Sequence, residues 1–332
     1  LTGVDTICAV IVTHNSERVI GPCLDALHGV SETVVVDNAS QDGTLREVSA
    51  RPWARVIANR RNAGFAAAVN QGARTCARPH ILLVNPDVVI DSGLQPLVEA
   101  CAEHGLAAGV LTDDGGRPQR GFTIRRFPSP AALAFETLGL NRVWPGNPVN
   151  RRYRYFDRDL EAPGPVEQAA GAFLMIRRDV FEALGGFDES FHPLWFEDVD
   201  FALRAHRRGY STQLVPQVRA RHAGGHSVRA LAHTWRVKYW YASLLRYAAK
   251  HYGPLEFRAV CAAVAQGCLI RALTGTILSH QWGSFAQYKA VLQLALASCI
   301  AGRVSLRPED YEELSTTEEN GQEQVLTRSA QG

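Results

Sequence analysis

The chain has 332 residues, 46% hydrophobic and 20% charged, with a formal net charge of +2. That balance is ordinary for a globular protein of one large or two modest domains, and it excludes a binder driven by global charge to nucleic acid. Seven cysteines stand at 8, 23, 76, 101, 261, 268 and 299 without a C-x-x-C pair, which predicts reduced, buried thiols rather than a disulfide frame or a zinc site.

The beginning of the chain shows no basic n-region and no cleavage signature, so no signal peptide is expected. No stretch reads as apolar enough to span a bilayer; the best candidate, Ala259–Leu278, contains Gln266 and Arg271. The expectation is a cytoplasmic protein, with peripheral attachment to the inner face of the membrane left open.

Thr6 to Thr13 is a continuous apolar run that predicts a buried parallel strand, and Ser16 is placed to cap a helix over Glu17–Leu27. Strands are predicted at Thr33–Val36, Arg55–Ala58 and Ile81–Val84, with an alanine-rich helix running from Phe65 to Cys76. Strand and helix alternating at these spacings predict an α/β domain with a doubly wound, mostly parallel sheet. Ligands bind such sheets beyond the carboxyl ends of the strands. Polar residues gather there: Thr13 to Asn15, Asp37, Asn59 to Asn62, and Asn85 to Asp87.

From Gly115 to Pro165 the periodicity is lost among Gly, Pro and Arg, which predicts a loop-rich insertion over a site. Regular structure is expected again at Val166–Ile176, then in a helix Asp179–Leu184 closed by Gly185 and Gly186. Next comes Trp195-Phe196-Glu197-Asp198-Val199-Asp200, three carboxylates within four positions among apolar neighbours. A helix opening here carries its acids in the first turn, where the macrodipole tolerates them, and buries Val199 and Leu203. A half-dry carboxylate at such an edge suits a general base. Short strands are predicted near Gln213–Val215 and at Val218–His222.

Seven segments together carry a resemblance: VIVTHNSE at 10–17, VVVDNASQDGT at 34–44, NRRNAGFAAAVNQG at 59–72, LLVNPDV at 82–88, GAFLMIRRDVFEALGGFDESF at 171–191, WFEDVDFALRAHRRG at 195–209 and HAGGHS at 222–227. In this order the chain resembles the inverting family 2 glycosyltransferases of the GT-A fold, and most of all the bacterial rhamnosyltransferases that use dTDP-rhamnose. The resemblance implies a GT-A domain followed by a C-terminal helical extension. Its nucleotide-sugar-binding half is 1–114, its acceptor-binding and catalytic half is 115–229, the helices are 230–302, and an acidic tail follows at 303–332.

The resemblance also implies roles. Asp198 becomes the base, and Glu197 positions the acceptor or shares its proton network. Thr13, Asn15, Asp37, Asn62, Gly64, Phe65, Asn85 and Gly171 become nucleotide-sugar-binding residues. Asp37 can accept the N3–H of a uracil or thymine ring, and Gly64 lets a diphosphate approach helix N–H groups. Asn85-Pro86-Asp87 stands where the family has Asp-x-Asp, so Asp87 is the expected ligand for Mg²⁺ or Mn²⁺ while Asn85 has lost the charge. His222 is implied as a second metal or diphosphate ligand.

The implied reaction is inverting transfer of a sugar, L-rhamnose first, from a dTDP- or UDP-sugar to a hydroxyl of a glycan or polyprenyl-diphosphate-linked acceptor in cell-envelope polysaccharide synthesis. A transferase of another UDP- or dTDP-sugar, or a non-catalytic nucleotide-sugar-binding protein, is the alternative. A nucleotidyltransferase would need a Gly-rich loop where Thr13-His14-Asn15-Ser16 stands.

A helix over Leu231–Tyr252 interleaves Trp235, Tyr239, Trp240, Tyr241 and Tyr247 with Arg236, Lys238, Arg246, Lys250 and His251. Amphipathic aromatics beside cations suit a membrane surface. A homodimer interface, or packing against the catalytic domain, suits them as well. Two apolar helices are expected to follow to about Ile300, and then, from Glu309, a disordered tail.

Overall fold

The computed structural model describes residues 3–224, 233–279 and 283–304. The predicted tail from Glu309 lies outside the described residues. Strand β1 (Ile7–Thr13) is buried along nearly its whole length, as its apolar run requires. Parallel to it lie β2 (Glu32–Asp37) and β4 (His80–Val84), and β3 (Ala54–Ala58) extends the sheet beyond β2. The remaining strands are β5 (Val88–Ile90), β6 (Gly105–Thr112), β7 (Ile124–Arg125), β8 (Gly164–Val166), β9 (Gln168–Ala169), β10 (Phe173–Arg177) and β11 (Ser211–His222).

The main sheet runs β3-β2-β1-β4-β10-β6-β11-β5, with β8 paired to β11. Its first half is wholly parallel; β10 enters antiparallel between β4 and β6, giving a mostly parallel mixed sheet. Apolar side chains from its two faces build two separate cores, one around Val10, Val36, Leu83 and Phe201, the other around Ile11, Leu24, Leu82 and Phe173. The polar strand ends are thereby gathered on one edge, the position the doubly wound pattern predicts.

Several local expectations are corrected. The first helix is shorter, Ile20–Ala26, and Ser16 does not cap it: its hydroxyl donates to the His14 carbonyl and only its own carbonyl meets the helix. The insertion is rich in loop as expected, but it also holds short helices at Pro130–Thr137, Leu140–Val143 and Pro148–Tyr153. Two of its prolines are helix starters. Ser129 and Asn147 accept from the N–H groups of Ala132 and Asn150, with Pro130 and Pro148 in the first helical position. The two strands expected around Pro216 are one, β11, whose register shifts between Leu214 and Arg219.

Cys8 and Cys76 form a disulfide, which overturns the expectation of seven reduced thiols. The helix Phe65–Thr75 packs back on β1, bringing residues 68 apart in sequence to a Cα separation of 6.1 Å. No spacing rule reveals such a pair. The other five cysteines are free.

The long C-terminal helices are His233–His251, Pro254–Ser279 and Gly283–Ala301. They form a third core with Leu133, Phe191 and Phe196. Tyr241 and Tyr247 are buried in it, so these two aromatics serve packing against the catalytic domain. Pro254–Gly275 is long and apolar enough to cross a membrane by length and composition, which corrects the reading of Arg271 as disqualifying. Half of that segment is buried in the protein. Arg271 bonds the carbonyls of Glu136 and Thr137, and a side chain at Gly267 would collide with that same Thr137 carbonyl.

Candidate active site

The helix Glu197–Arg207 begins after two residues held at positive φ, Trp195 at 78° and Phe196 at 70°. Neither is glycine, so the surrounding packing holds a conformation that costs of the order of 1 kcal/mol or more for each residue. Phe196 is locked by the rings of Tyr247 and Trp240. This turn delivers Asp198 to a fixed place. Its Oδ2 accepts from the Gly171 N–H at 2.9 Å, and its Oδ1 from the Val199 N–H at 2.8 Å. A Cβ at position 171 would stand 3.1 Å from that of Asp198, so glycine there lets the two segments meet.

Burial pushes the Asp198 carboxyl above the ordinary carboxylate range, against the pull of those N–H groups and of the Arg125 charge. Burial pushes Glu197 far higher, and the Asp198 charge adds to it. The Glu197 Oε2 is buried with no hydrogen-bond partner. Two adjacent carboxyls thus have different tasks available: Glu197 holds a proton, and Asp198 can take one. Asp200 points away, paired with Arg204, Lys250 and His251.

Asp198 lines a cavity of about 300 Å³ walled by Phe122, Arg125, Leu133, Trp195 and Trp240, among others. Ring faces with a guanidinium beside a carboxylate make a surface suited to a sugar hydroxyl face. Arg125 and Phe122 come from the insertion and escaped the sequence reading, because lost periodicity says nothing of which arginine faces inward.

Asp87 and His222 are brought together. They flank the β5–β11 pairing, where His222 stands opposite Val88, and both are buried. Asp87 Oδ1 and His222 Nε2 are 3.6 Å apart. Burial lowers the His222 pKa against the opposing Asp87 charge, which favours a neutral ring. A carboxylate oxygen and an imidazole nitrogen converging in a buried place fit a divalent cation, and the nitrogen suits Mn²⁺ better than Mg²⁺. Asn85 donates its backbone N–H to the Ala172 carbonyl, next to the Gly171 that holds Asp198.

The remaining predicted residues lie at the β1 and β2 ends. Asp37 is buried, its carboxylate accepting from the hydroxyl and N–H of Ser40. Thr13 is buried beside it in register, with a hydroxyl that has no hydrogen-bond partner. Asn15, at φ 51°, accepts from the Gln41 N–H and donates its own N–H to Ser40, tying the two loops together. Asn62 accepts from the Gly64 N–H, and the Phe65 N–H donates to the Pro193 carbonyl at 2.7 Å. The Gly64 and Phe65 N–H groups are therefore engaged within the protein. Glycine at 64 also answers to a φ of 84° and to the approach of His192 and Pro193.

A family model described as glycosyl transferase family 2 matches residues 8–185, more than half of the chain. Over 210 residues the chain is 28% identical to the low-salt glycan biosynthesis hexosyltransferase Agl10 of Haloferax volcanii, covering 62% of this chain and 63% of that protein, less than two thirds of its length. Over 243 residues it is 28% identical to the N-acetylglucosaminyl-diphospho-decaprenol L-rhamnosyltransferase of Mycobacterium tuberculosis, covering 67% of this chain and 78% of the relative. Among solved structures, S. aureus TarS 1-349 in complex with UDP-GlcNAc superposes with a TM-score of 0.51 at 16% identity, covering 89% of this chain and 88% of that one.

Proposed function

Because the chain belongs to glycosyltransferase family 2 and has the GT-A fold, we propose that it is an inverting transferase moving L-rhamnose from dTDP-rhamnose to a hydroxyl of a polyprenyl-diphosphate-linked sugar in cell-envelope polysaccharide synthesis. The donor and acceptor are named after the Mycobacterium tuberculosis relative and the sequence motifs. The observation that carries the reaction is Asp198: a half-buried carboxylate with a raised pKa, held by two N–H groups on the wall of an aromatic-lined cavity.

In this reading the acceptor sugar lies in that cavity with one hydroxyl at Asp198. Asp198 takes the hydroxyl proton as the oxygen bonds the anomeric carbon, and the bond from that carbon to the nucleoside diphosphate breaks on the opposite face. One displacement inverts the configuration, through a transition state with oxocarbenium character. Glu197, protonated, leaves Asp198 as the single negative charge of the pair. Asp37 and Thr13 line the base and ribose end, with Asn15 and the 62–65 loop beside them. Asp87 and His222 would hold a divalent cation, with Asn85 near them, and that cation supplies charge stabilisation to the departing diphosphate.

The polyprenyl chain of such an acceptor requires the protein to work at a membrane surface. Leu255, Leu273 and Ile300 on the C-terminal helices are exposed and support that placement.

Asp198→Asn tests the assignment. Donor binding, read by titration with dTDP, is expected to persist, and transfer to fall by a factor on the order of 10²–10⁴. Wild-type turnover in that variant would move the base elsewhere, to Glu197 first. A donor screen across dTDP-, UDP- and GDP-sugars tests the sugar.

A further inference from the structure

We infer that Gln119 is a positioning residue that fixes the tautomer of His222, so that the imidazole nitrogen facing Asp87 carries a lone pair. The inference rests on the metal reading of Asp87 and His222 given above.

The side-chain amide of Gln119 spans the two ends of a single residue. Its Nε2 donates to the His222 carbonyl at 2.8 Å, and its Oε1 lies 2.9 Å from His222 Nδ1. The first bond fixes the amide's orientation, because the flipped amide would set two oxygens against each other. With Oε1 at Nδ1, an attractive contact requires the ring proton on Nδ1. Nε2 is then the bare nitrogen of the neutral ring. It stands 3.6 Å from Asp87 Oδ1, beyond hydrogen-bond distance, and the two lone-pair donors share the space between them. A hydrogen bond on one imidazole nitrogen that prepares the other for a cation is the usual outer support of a metal-binding histidine.

The surroundings keep Gln119 from drifting. Its N–H donates to the Leu111 carbonyl at the end of β6, and its carbonyl accepts from the N–H groups of Phe122 and Thr123. Phe122 lies flat against the imidazole, with centroids 5.0 Å apart and planes at 12°. One short segment of the insertion therefore sets both the proton and the plane of the His222 ring. Phe122 also lines the cavity at Asp198, so the same segment joins the acceptor side to the cation side.

Two measurements test this, and neither depends on turnover. In wild-type protein free of metal, long-range ¹H–¹⁵N spectra of labelled histidines are expected to show His222 protonated at Nδ1 and bare at Nε2. A proton on Nε2 would overturn the inference. In the second, Mn²⁺ is titrated by electron paramagnetic resonance in the presence of dTDP. Gln119→Leu is expected to weaken Mn²⁺ binding about 10- to 100-fold. Gln119→Glu, which keeps an acceptor at Nδ1 and can donate a carboxyl proton to the His222 carbonyl in place of the amide, is expected to stay within a few-fold of wild type. Unchanged affinity in the leucine variant, or equal loss in both, would overturn the inference. Should the leucine variant fail to fold, the glutamate variant and the wild-type spectrum still decide. A wild-type protein that binds no Mn²⁺ would overturn the metal reading itself, and the titration of wild type alone reveals that.

Discussion

At the scale of single residues, Glu197 and Asp198 differ by what surrounds them. Glu197 is buried and Asp198 half-buried, and only Asp198 receives two backbone donors, while Glu197 Oε2 has no partner. The native state therefore keeps a proton on Glu197 in a range where the unfolded chain releases it. Native protein binds the extra proton, so this contribution to stability is complete below the ordinary carboxylate pKa and is lost as pH rises through the raised one. Each unit between the two values corresponds to about 1.4 kcal/mol. Glu197→Gln copies the protonated form. Its urea-unfolding free energy is expected to fall less steeply than wild type between pH 5 and 8, with a residual slope in the same sense from Asp198. Parallel profiles in the two proteins would show that Glu197 is ionised in the native state. The two acids were legible in the sequence because three carboxylates in one apolar turn stand out. Gln119, Phe122 and Arg125 were not, since an uncharged amide, a phenylalanine or one arginine among many carries no signal until the chain brings it to His222 or Asp198.

At the scale of elements, the helix Glu197–Arg207 is anchored by the acid that does no chemistry. Asp200 is fully buried, and Arg204 Nε and Lys250 Nζ both approach it at 2.7 Å, with His251 Nε2 at 2.8 Å. Burial alone would raise its pKa, but the hydrogen bonds from His251 and Lys250 and the Arg204 charge hold it at about 2. The bond to Arg204 follows from i,i+4 spacing and was readable; those to Lys250 and His251 join helices 50 residues apart and were not. Asp200→Asn leaves these cations without their carboxylate and is expected to cost about 3 kcal/mol, the low end for a broken buried pair because Lys250 reaches solvent. Because the folded pKa is depressed, the contribution is present above the ordinary carboxylate pKa and lost as pH falls from about 4 toward about 2. Urea unfolding of wild type and variant at pH 7 and pH 2.5 measures it: the gap should be wide at the first and narrow at the second. An equal gap at both would place the effect in packing rather than charge.

At the scale of the whole molecule, the parallel half of the sheet was legible from its apolar runs, whereas the C-terminal helices were legible only as helices. Which face of each is covered depends on partners distant in the chain. The aromatics at 241 and 247 went inward, and the exposed apolar side chains are elsewhere: Leu255 at 81%, Leu273 at 61% and Ile300 at 85% exposure. Large side chains scattered singly on a surface need no explanation, but the lipid-linked acceptor proposed above would give these an occupant, the headgroup and acyl boundary of a bilayer. Each such side chain gains about 1.5–3 kcal/mol when fully buried, so two of them account for a tenfold or greater change in vesicle binding even when half buried. Leu273→Glu combined with Ile300→Glu is expected to reduce co-sedimentation with anionic vesicles by at least that factor, while transfer to a short, water-soluble acceptor stays unchanged. Neither position lines the cavity at Asp198 or belongs to the residues assigned to the reaction, so loss of the soluble-acceptor activity would indicate misfolding rather than detachment. Vesicle binding equal in the variant and wild type would remove these two side chains from the membrane contact. Absence of binding in wild type, with a dimer that persists on dilution, would give the same apolar side chains to a second copy of the chain.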